Sequence, residues 1–230
     1  MSDIAANLAG IRRSIQAACL RSGRDPQGVR LVAVSKFKPM EDIEEAARAG
    51  QRLFGESYAQ ELRDKGHRVQ AELEWHFIGS LQRNKVKYLR GLSALIHGVD
   101  NLRLAEEINR QWGKEEDPAS ILIQVNLGGE ESKSGVDEAD LEELVRQVAA
   151  LPRLRIRGLM CLPPACEDPE EVRPFFRRLR ELSRRIEALQ IPGVSMEELS
   201  MGMSDDFEVA VEEGATLVRV GSAIFGERHG

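Results

Sequence analysis

Residues 31–36 have the sequence LVAVSK, a short apolar run that ends in a lysine. Seven further short apolar runs follow along the chain. Between the runs lie stretches whose apolar residues recur at helical spacing, most clearly at 101–112, 138–149 and 170–190. Apolar strands that alternate with amphipathic helices are typical of a parallel sheet covered by helices. Those further runs are RLFG (52–55), WHFIG (75–79), ALIHG (94–98), ILIQVN (121–126), IRGLMC (156–161), ELS (198–200) and LVRVG (217–221).

Eight such units in 230 residues predict an α/β fold, a single (β/α)8 TIM-type barrel in which residues 1–230 form one domain. An open flavodoxin-like sheet is the alternative, but it normally needs only about five or six strands. An extra N-terminal helix is expected before the barrel, with Ser2 as its N-cap and Gly23 at its end. Its apolar face comprises Ile4, Leu8, Ile11, Ile15 and Cys19, and further helix starts are expected at Pro39, Asn101 and Ser204.

Composition argues against several classes of function. The formal net charge of −6 disfavours nucleic acid as a partner, because phosphate-backbone binding needs a concentrated basic surface. The N-terminal segment carries charges within its apolar pattern, so neither a signal peptide nor a membrane span is expected, and the protein is expected in the cytoplasm. Three cysteines without Cys-x2-Cys spacing predict no metal site, and helix faces without a long apolar patch predict a monomer.

Lys36 directly follows the first predicted barrel strand, and strand C-termini build the active site in a parallel barrel. Burial and the neighbouring Lys38 disfavour the ammonium form, and a neutral amine is what attack on an aldehyde requires. A lysine whose stem lies along apolar surface at a strand end, without a chemical role, is the alternative interpretation.

The loops after the seventh and eighth strands predict a phosphate site. MGMSDD (201–206) and GSAIFG (221–226) supply glycines and the hydroxyls of Ser204 and Ser222, where barrels commonly bind phosphate. Each piece is equally compatible with ordinary capping and turn chemistry. Closure of the barrel, however, places the eighth strand beside the first, so a phosphorylated aldehyde bound there lies within reach of Lys36.

Arg219 lies within the eighth strand, and its neighbours Val218 and Val220 face the opposite way. An arginine inside a barrel is costly unless it is paired. Beside a pyridine ring it would donate a hydrogen bond to the nitrogen and keep that nitrogen unprotonated, which weakens the ring as an electron sink.

With these residues assembled, the sequence resembles the pyridoxal phosphate homeostasis protein family, which is related to the barrel domain of alanine racemase (fold type III). The resemblance covers nearly the whole chain and implies pyridoxal 5′-phosphate (PLP) as cofactor, bound as a Schiff base on Lys36. It further implies that Arg219 meets the pyridine nitrogen and that Ser204, Gly221 and Ser222 hold the phosphate. The segments that carry it are LVAVSKFKP, RLFGESYAQE, WHFIGSLQRNK, ILIQVNLGGEESKSG, GLMCLPP, LSMGMSDDFEVA and VRVGSAIFG.

Three further residues are expected near the cofactor. Ser57 stands where the family usually has asparagine (FGES in place of FGEN), and its shorter side chain predicts a weaker or water-bridged contact. Met201 and His76 are also expected to contact the cofactor. A core histidine satisfied by a neighbouring group is an equally good interpretation of His76.

Three functions are compatible with these residues. The resemblance implies a carrier that keeps PLP and amino-acid pools in balance without turnover, with apo-enzymes as candidate recipients. A PLP-dependent amino-acid racemase would need acid–base groups on both faces of the cofactor. Related racemases take a tyrosine from a separate domain, and none is expected after Gly230, which leaves Tyr58 and Tyr88. A cofactor-free Schiff-base aldolase would use the same lysine and phosphate site.

Overall fold

The computed structural model describes residues 3–69, 72–129, 134–164 and 166–226. The chain begins with helix α1 (Ile4–Arg21), whose five predicted apolar positions are all buried. Asp3 caps this helix by accepting a hydrogen bond from the Ala6 amide at 2.9 Å. Ser2, the expected cap, lies outside the described residues. Gly23 adopts a φ of 67° just after the helix, which is the left-handed conformation that glycine tolerates best.

Eight parallel strands form a closed barrel. Each strand pairs with the next along the chain, the fourth pairs with the fifth, and the eighth pairs with the first. The predicted barrel is therefore confirmed, and the open sheet is wrong. The strands are β1 (Arg30–Val34), β2 (Leu53–Glu56), β3 (Glu74–Phe77), β4 (Ser93–Val99), β5 (Ala119–Asn126), β6 (Leu154–Met160), β7 (Val194–Ser200) and β8 (Leu217–Val220).

Helices cover the outside of the barrel between the strands. The α-helices that follow α1 are α2 (Met40–Arg48), α3 (Ala59–Gly66), α4 (Leu102–Gln111), α5 (Leu141–Ala149), α6 (Arg173–Ala188), α7 (Phe207–Glu212) and α8 (Ser222–Phe225). A 3-10 helix, Arg83–Tyr88, replaces the α-helix between β3 and β4, and a two-residue strand, Val136–Asp137, extends the sheet beside β5. None of the helices in the described part of the chain is long and apolar enough to cross a membrane.

The helix starts agree with the sequence at two of three positions. Asn101 caps α4 by accepting from the Leu104 amide at 2.9 Å, and Pro39 occupies the N-cap position of α2. The expected start at Ser204 is wrong, because α7 begins at Phe207 behind Asp206. Ser204 instead faces the loop after β8, as described below.

The interior has two apolar layers. An outer layer lies between the strands and the helices, and a smaller inner cluster fills the barrel with Val32, Leu53, Leu95, Leu122, Met160 and Leu217. Val218 and Val220 belong to the outer layer. Arg219, between them, therefore faces into the barrel, as the strand alternation predicts.

Candidate functional site

A cavity of about 580 Å³ opens at the C-terminal end of the barrel strands. Its size suits a small organic ligand. Among the described residues, its lining carries three cationic side chains, Lys36, Lys38 and Arg219, and one carboxylate, Asp205. This excess of positive charge suits an anionic ligand such as a phosphate ester. The remaining lining residues are Val34, Ser57, Ile78, Gly79, Ser80, Gln124, Ser134, Leu162, Met203, Ser204, Gly221, Ser222 and Gly226.

Lys36 is half-buried and lies two residues beyond the end of β1. The residue before it, Ser35, donates its hydroxyl to Glu56 Oε1 at 2.6 Å, and the Phe37 amide donates to Glu61 Oε1 at 2.7 Å. Phe37 has a φ of 62°, an uncommon left-handed conformation for a side chain of this size. The residues on both sides of the lysine are thus held by carboxylates.

Lys38 lines the same cavity and connects its two sides. Its ammonium group donates to the carbonyl oxygens of Phe225 and Gly226, at 3.0 and 3.1 Å. These carbonyls lie at the end of α8, where the helix dipole favours a cation. Lys38 therefore joins the loop after β1 to the last described residues of the chain.

The loops after β7 and β8 meet as the sequence predicts. The Gly221 amide donates to Ser204 Oγ at 3.3 Å, and the Ser222 hydroxyl donates to the same oxygen at 3.0 Å. Ser222 also opens α8, and the first amides of a helix have no acceptor within it. Two hydroxyls and these amides form a cluster of donors that fits a phosphate group.

Barrel closure brings this cluster beside Lys36. Val32 of β1 pairs with Arg219 of β8, and Ala33 pairs with Val220. The chain leaves both strands at the same end of the barrel, so Lys36 and Gly221 follow adjacent strands. Lys36, Ser57, Ser204, Arg219, Gly221 and Ser222 all line the one cavity.

Arg219 is only 4 % exposed, and the exposed part faces the cavity. Its guanidinium donates to the hydroxyl of Ser200 and, at 3.0 Å, to the carbonyl of Cys161. Within the described residues it forms no ion pair with a carboxylate. Burial lowers the pKa of the guanidinium from its ordinary value, and Asp206 acts in the opposite direction. Arginine remains protonated even so, and its unpaired cation suits a ligand atom that accepts a hydrogen bond.

Two of the predicted contact residues do not line the cavity in the described part of the chain. Met201 is fully buried in the outer apolar layer. His76 is 1 % exposed and bonds to Glu74 and His97 inside the barrel. The interpretation of His76 as a satisfied core histidine is thus the one that the structure supports.

Several lining residues were not predicted from the sequence, among them Gln124, Leu162, Met203 and Asp205. Gln124 is a buried amide near the end of an apolar strand, which is the same signal that singled out Lys36, and its amide donates to the Ser134 carbonyl at 2.9 Å. Leu162 and Met203 carry no such signal, because exposed apolar residues in loops are common.

Comparisons with known proteins give the family of the chain. A sequence profile described as "Alanine racemase, N-terminal domain" matches residues 6–229. The pyridoxal phosphate homeostasis protein of Aquifex aeolicus is 47 % identical over 222 residues, which cover 96 % of each chain. The protein of the same name from Escherichia coli K12 is 47 % identical over 99 % of this chain and 98 % of its own. The chain belongs to the pyridoxal phosphate homeostasis protein family.

Solved structures extend this family assignment. PipY of Synechococcus elongatus, whose structure holds bound PLP, is 38 % identical and superposes with a TM-score of 0.84 over 97 % of this chain and all of its own. The alanine racemase of Corynebacterium glutamicum is 21 % identical, with a TM-score of 0.62 over 97 % of this chain and 63 % of that enzyme. This second similarity shows the fold alone, and it confirms the expected likeness to the racemase barrel.

Proposed function

We propose that this chain binds PLP in the cavity at the barrel mouth and acts in the homeostasis of that cofactor without catalytic turnover. The observation that carries the proposal is the convergence of Lys36, Arg219 and the Ser204–Ser222 hydroxyl pair on one cavity with an excess of positive charge. PLP combines an aldehyde, a pyridine nitrogen and a phosphate, and each of the three groups has a matching partner there. The relatives named for PLP homeostasis, and the PLP-bound structure of PipY, support the same ligand.

Each residue has a defined part in this proposal. Lys36 would hold the aldehyde carbon of the cofactor through its ε-amine, with the carbonyl oxygen released as water. Ser204, Ser222 and the Gly221 segment would hold the phosphate, and Arg219 would donate to the pyridine nitrogen. When bound, the cofactor supplies an electrophilic carbon and a ring that can withdraw electrons. An arginine partner keeps the ring nitrogen unprotonated, which weakens this withdrawal and favours storage over catalysis.

The tyrosines of the chain argue against racemisation. Tyr58 is 50 % exposed and packs against Phe37, with ring centroids 4.9 Å apart. The cationic groups of Arg63, Lys85 and Lys87 lie over the Tyr88 ring. Neither lies among the described residues that line the cavity. A second proton-transfer group opposite Lys36 is therefore not supplied by a tyrosine in the described structure.

We further infer that the protein acts in the cytoplasm as a monomer and passes its cofactor to apo-enzymes. Exposed apolar side chains follow the C-terminal ends of several strands: Phe37, Tyr58, Leu162 and Met203, which are 39–56 % exposed. These side chains give the barrel mouth an apolar surface that a recipient enzyme can contact during transfer.

Absorption spectroscopy tests the proposal. Purified protein incubated with PLP should absorb near the edge of the visible range, and borohydride should abolish the band and fix an adduct that mass spectrometry locates on Lys36. The Lys36→Ala variant should lose the band, whereas Lys87→Ala, outside the cavity, should keep it. Protein that stays colourless with added PLP rules out the cofactor. An adduct confined to another lysine rules out Lys36.

Turnover is tested separately. L-amino acids incubated with the PLP-loaded protein in deuterated buffer should keep their α-hydrogen at ordinary enzyme timescales. Exchange at a rate of about 1 s⁻¹ or more, within the usual range for enzymes, would overturn the carrier function while leaving PLP binding intact.

A further inference from the structure

A chain of hydrogen bonds crosses the interior of the barrel from the cavity to the opposite end. Arg219 donates to Ser200 Oγ, which lies 2.8 Å from His97 Nδ1. His97 Nε2 lies 3.0 Å from His76 Nδ1, and His76 Nε2 lies 2.9 Å from Glu74 Oε1. The five residues come from β3, β4, β7 and β8, so the chain links strands that are not neighbours in the barrel.

The two ends of this relay, from Arg219 to Glu74, fix the position of every proton in it. A guanidinium can only donate, so Ser200 Oγ accepts from Arg219 and its own proton goes to His97 Nδ1. A carboxylate can only accept, so His76 Nε2 carries a proton and His76 Nδ1 accepts the proton of His97 Nε2. Both arguments give the same result for His97, with the proton on Nε2 and none on Nδ1.

Burial and charge support this assignment. Ser200 and His97 are completely buried and His76 is 1 % exposed, so an imidazolium would be costly at either position. Burial also lowers the pKa of both histidines below the ordinary value, which keeps them neutral. At the far end Glu74 is held by Arg30 at 3.2 Å, and the hydrogen bond from His76 lowers the pKa of the Glu74 carboxyl.

The reverse direction of hydrogen-bond donation along the relay would leave buried polar atoms unsatisfied. If His97 carried its proton on Nδ1, Ser200 Oγ would receive two donors and its own proton would have no acceptor in the relay. A neutral His76 would then present a bare nitrogen to the Glu74 carboxylate, placing two acceptors 2.9 Å apart. Buried polar networks are stable only when each member is satisfied, so one direction is selected.

We propose that Ser200, His97 and His76 are positioning residues, which hold the Arg219 guanidinium in place as a permanent hydrogen-bond donor toward the cavity. Ser200 accepts from one nitrogen of the guanidinium, the Cys161 carbonyl accepts from another, and Arg219 also lines the cavity. At Arg219 this arrangement selects a ligand with an unprotonated ring nitrogen that accepts a hydrogen bond, as PLP has. This selection of PLP rests on the proposed function, whereas the relay itself does not.

Histidine tautomers test the relay without any ligand. In protein labelled with 15N-histidine, one-bond coupling should show His76 and His97 neutral at pH 7, each with its proton on Nε2, before and after PLP is added. The signals are assigned with His76→Gln and His97→Gln. A proton on Nδ1 of either neutral ring, or an imidazolium at either position, overturns the relay. This measurement uses the wild-type fold and stays decisive if a variant fails to fold.

A matched pair of variants tests the positioning role. Ser200→Ala removes the hydroxyl that Arg219 bonds, and it should weaken PLP binding about tenfold, as expected for loss of a hydrogen bond to a charged group. Ser200→Thr keeps the hydroxyl and should restore most of the affinity. Unchanged PLP affinity in folded Ser200→Ala overturns the proposal.

A ligand analogue separates positioning from general structural support. In 1-deazapyridoxal phosphate a C–H group replaces the ring nitrogen, so Arg219 has no acceptor. Ser200→Ala should then bind this analogue about as tightly as the wild type does. An equal loss for both ligands shows that Ser200 supports the fold only, and it overturns the proposal. If the wild type binds neither ligand, the proposed function fails, and the tautomer measurement still decides the relay.

Discussion

Ser57 lies in the cavity wall directly after β2, where its backbone lies against the chain that follows β3. A Cβ atom added to Gly79 would lie 2.3 Å from the Ser57 carbonyl oxygen, so glycine is required at that close approach. The backbone of Ser57 is therefore held close to Gly79, and Ser57 lines the cavity. This makes residue 57 a suitable position for changing ligand affinity without changing the fold.

Ser57→Asn should tighten PLP binding. The amide adds a donor and an acceptor where the serine has one short hydroxyl, and one additional hydrogen bond stabilises a complex by about 1 kcal/mol, or about fivefold in Kd. Fluorescence titration and the rate of PLP release to an apo-enzyme measure the effect. Ser57→Ala is the matched control and should bind slightly more weakly than the wild type. Binding by Ser57→Asn that is no tighter than wild type would contradict the prediction.

Six of the eight residues predicted to contact the cofactor line the cavity, because a polar residue at the end of an apolar barrel strand has few other positions to occupy. His76 and Met201 were predicted in the cavity, and neither lines it in the described structure. His76 lies deeper in the barrel interior, where His97 and Glu74 satisfy its two ring nitrogens. The depth of a residue within the barrel depends on the stagger of the strands, which a single sequence does not reveal.

Helix α3 is tied to the ends of β1 and β2 by a buried ammonium group. Lys65 donates to the Ser35 carbonyl at 2.7 Å, to Glu56 Oε1 at 2.8 Å and to Glu61 Oε1 at 2.6 Å. Glu56 is completely buried, and its second oxygen has no hydrogen-bond partner in the described structure. Burial raises the pKa of the Glu56 carboxyl, and Lys65 opposes that effect. The hydrogen bonds of Lys65 therefore support the segment that carries Lys36.

Lys65→Met should destabilise the protein by about 3–5 kcal/mol, because it leaves a buried carboxylate without its cation. Urea unfolding measures this loss. Lys87→Met, on the exposed 3-10 helix after β3, should change the free energy of unfolding by less than about 0.5 kcal/mol. The double variant Lys65→Met/Glu56→Gln should recover part of the loss, since the remaining side chain is neutral. A double variant no more stable than Lys65→Met would argue against an unpaired charge as the cause.

The presence of each strand and helix was easier to predict from the sequence than its first and last residues. Strand β7 begins at Val194, four residues before the predicted ELS run, because polar residues in VSMEELS hide the strand pattern. Helix α6 covers Arg173–Ala188 within the predicted 170–190, since a 3-10 turn at Pro169–Val172 precedes it. Ser204 resembled a helix cap and instead bonds to residues after β8, which lie far away in sequence.

At the scale of the whole molecule, closure of the barrel brings residues that are far apart in the sequence to one cavity. Lys36 and Ser222 are 186 positions apart in the sequence, yet β1 and β8 are neighbours. Strand count and alternation predicted this adjacency, because a parallel barrel allows one order of strands. The polar relay through the interior could not be predicted from the sequence. It depends on which inward-facing residues of β3, β4, β7 and β8 lie at the same height along the barrel axis.

The same interior relay makes the stability of the whole protein depend on pH. His97 faces His76, Arg219 and Arg30, and His76 faces Glu74, Arg30 and Glu198; burial lowers the pKa of both imidazoles from the ordinary 6.5. Below that pH the unfolded chain binds protons that the folded barrel does not, so the free energy of unfolding falls as the pH falls.

Between roughly pH 6 and pH 5, the free energy of unfolding should change by up to about 1.4 kcal/mol per pH unit for each histidine, or about 2.7 kcal/mol per pH unit for the pair. Urea unfolding across this range measures it. His97→Gln keeps one donor and one acceptor but cannot titrate, so its slope should be smaller by about 1.4 kcal/mol per pH unit. Replacing the exposed His67 with asparagine is the control and should leave the slope unchanged. Equal slopes in the wild type and His97→Gln would show that the buried pair is not the source of acid sensitivity, because the folded barrel would then accept protons as readily as the unfolded chain.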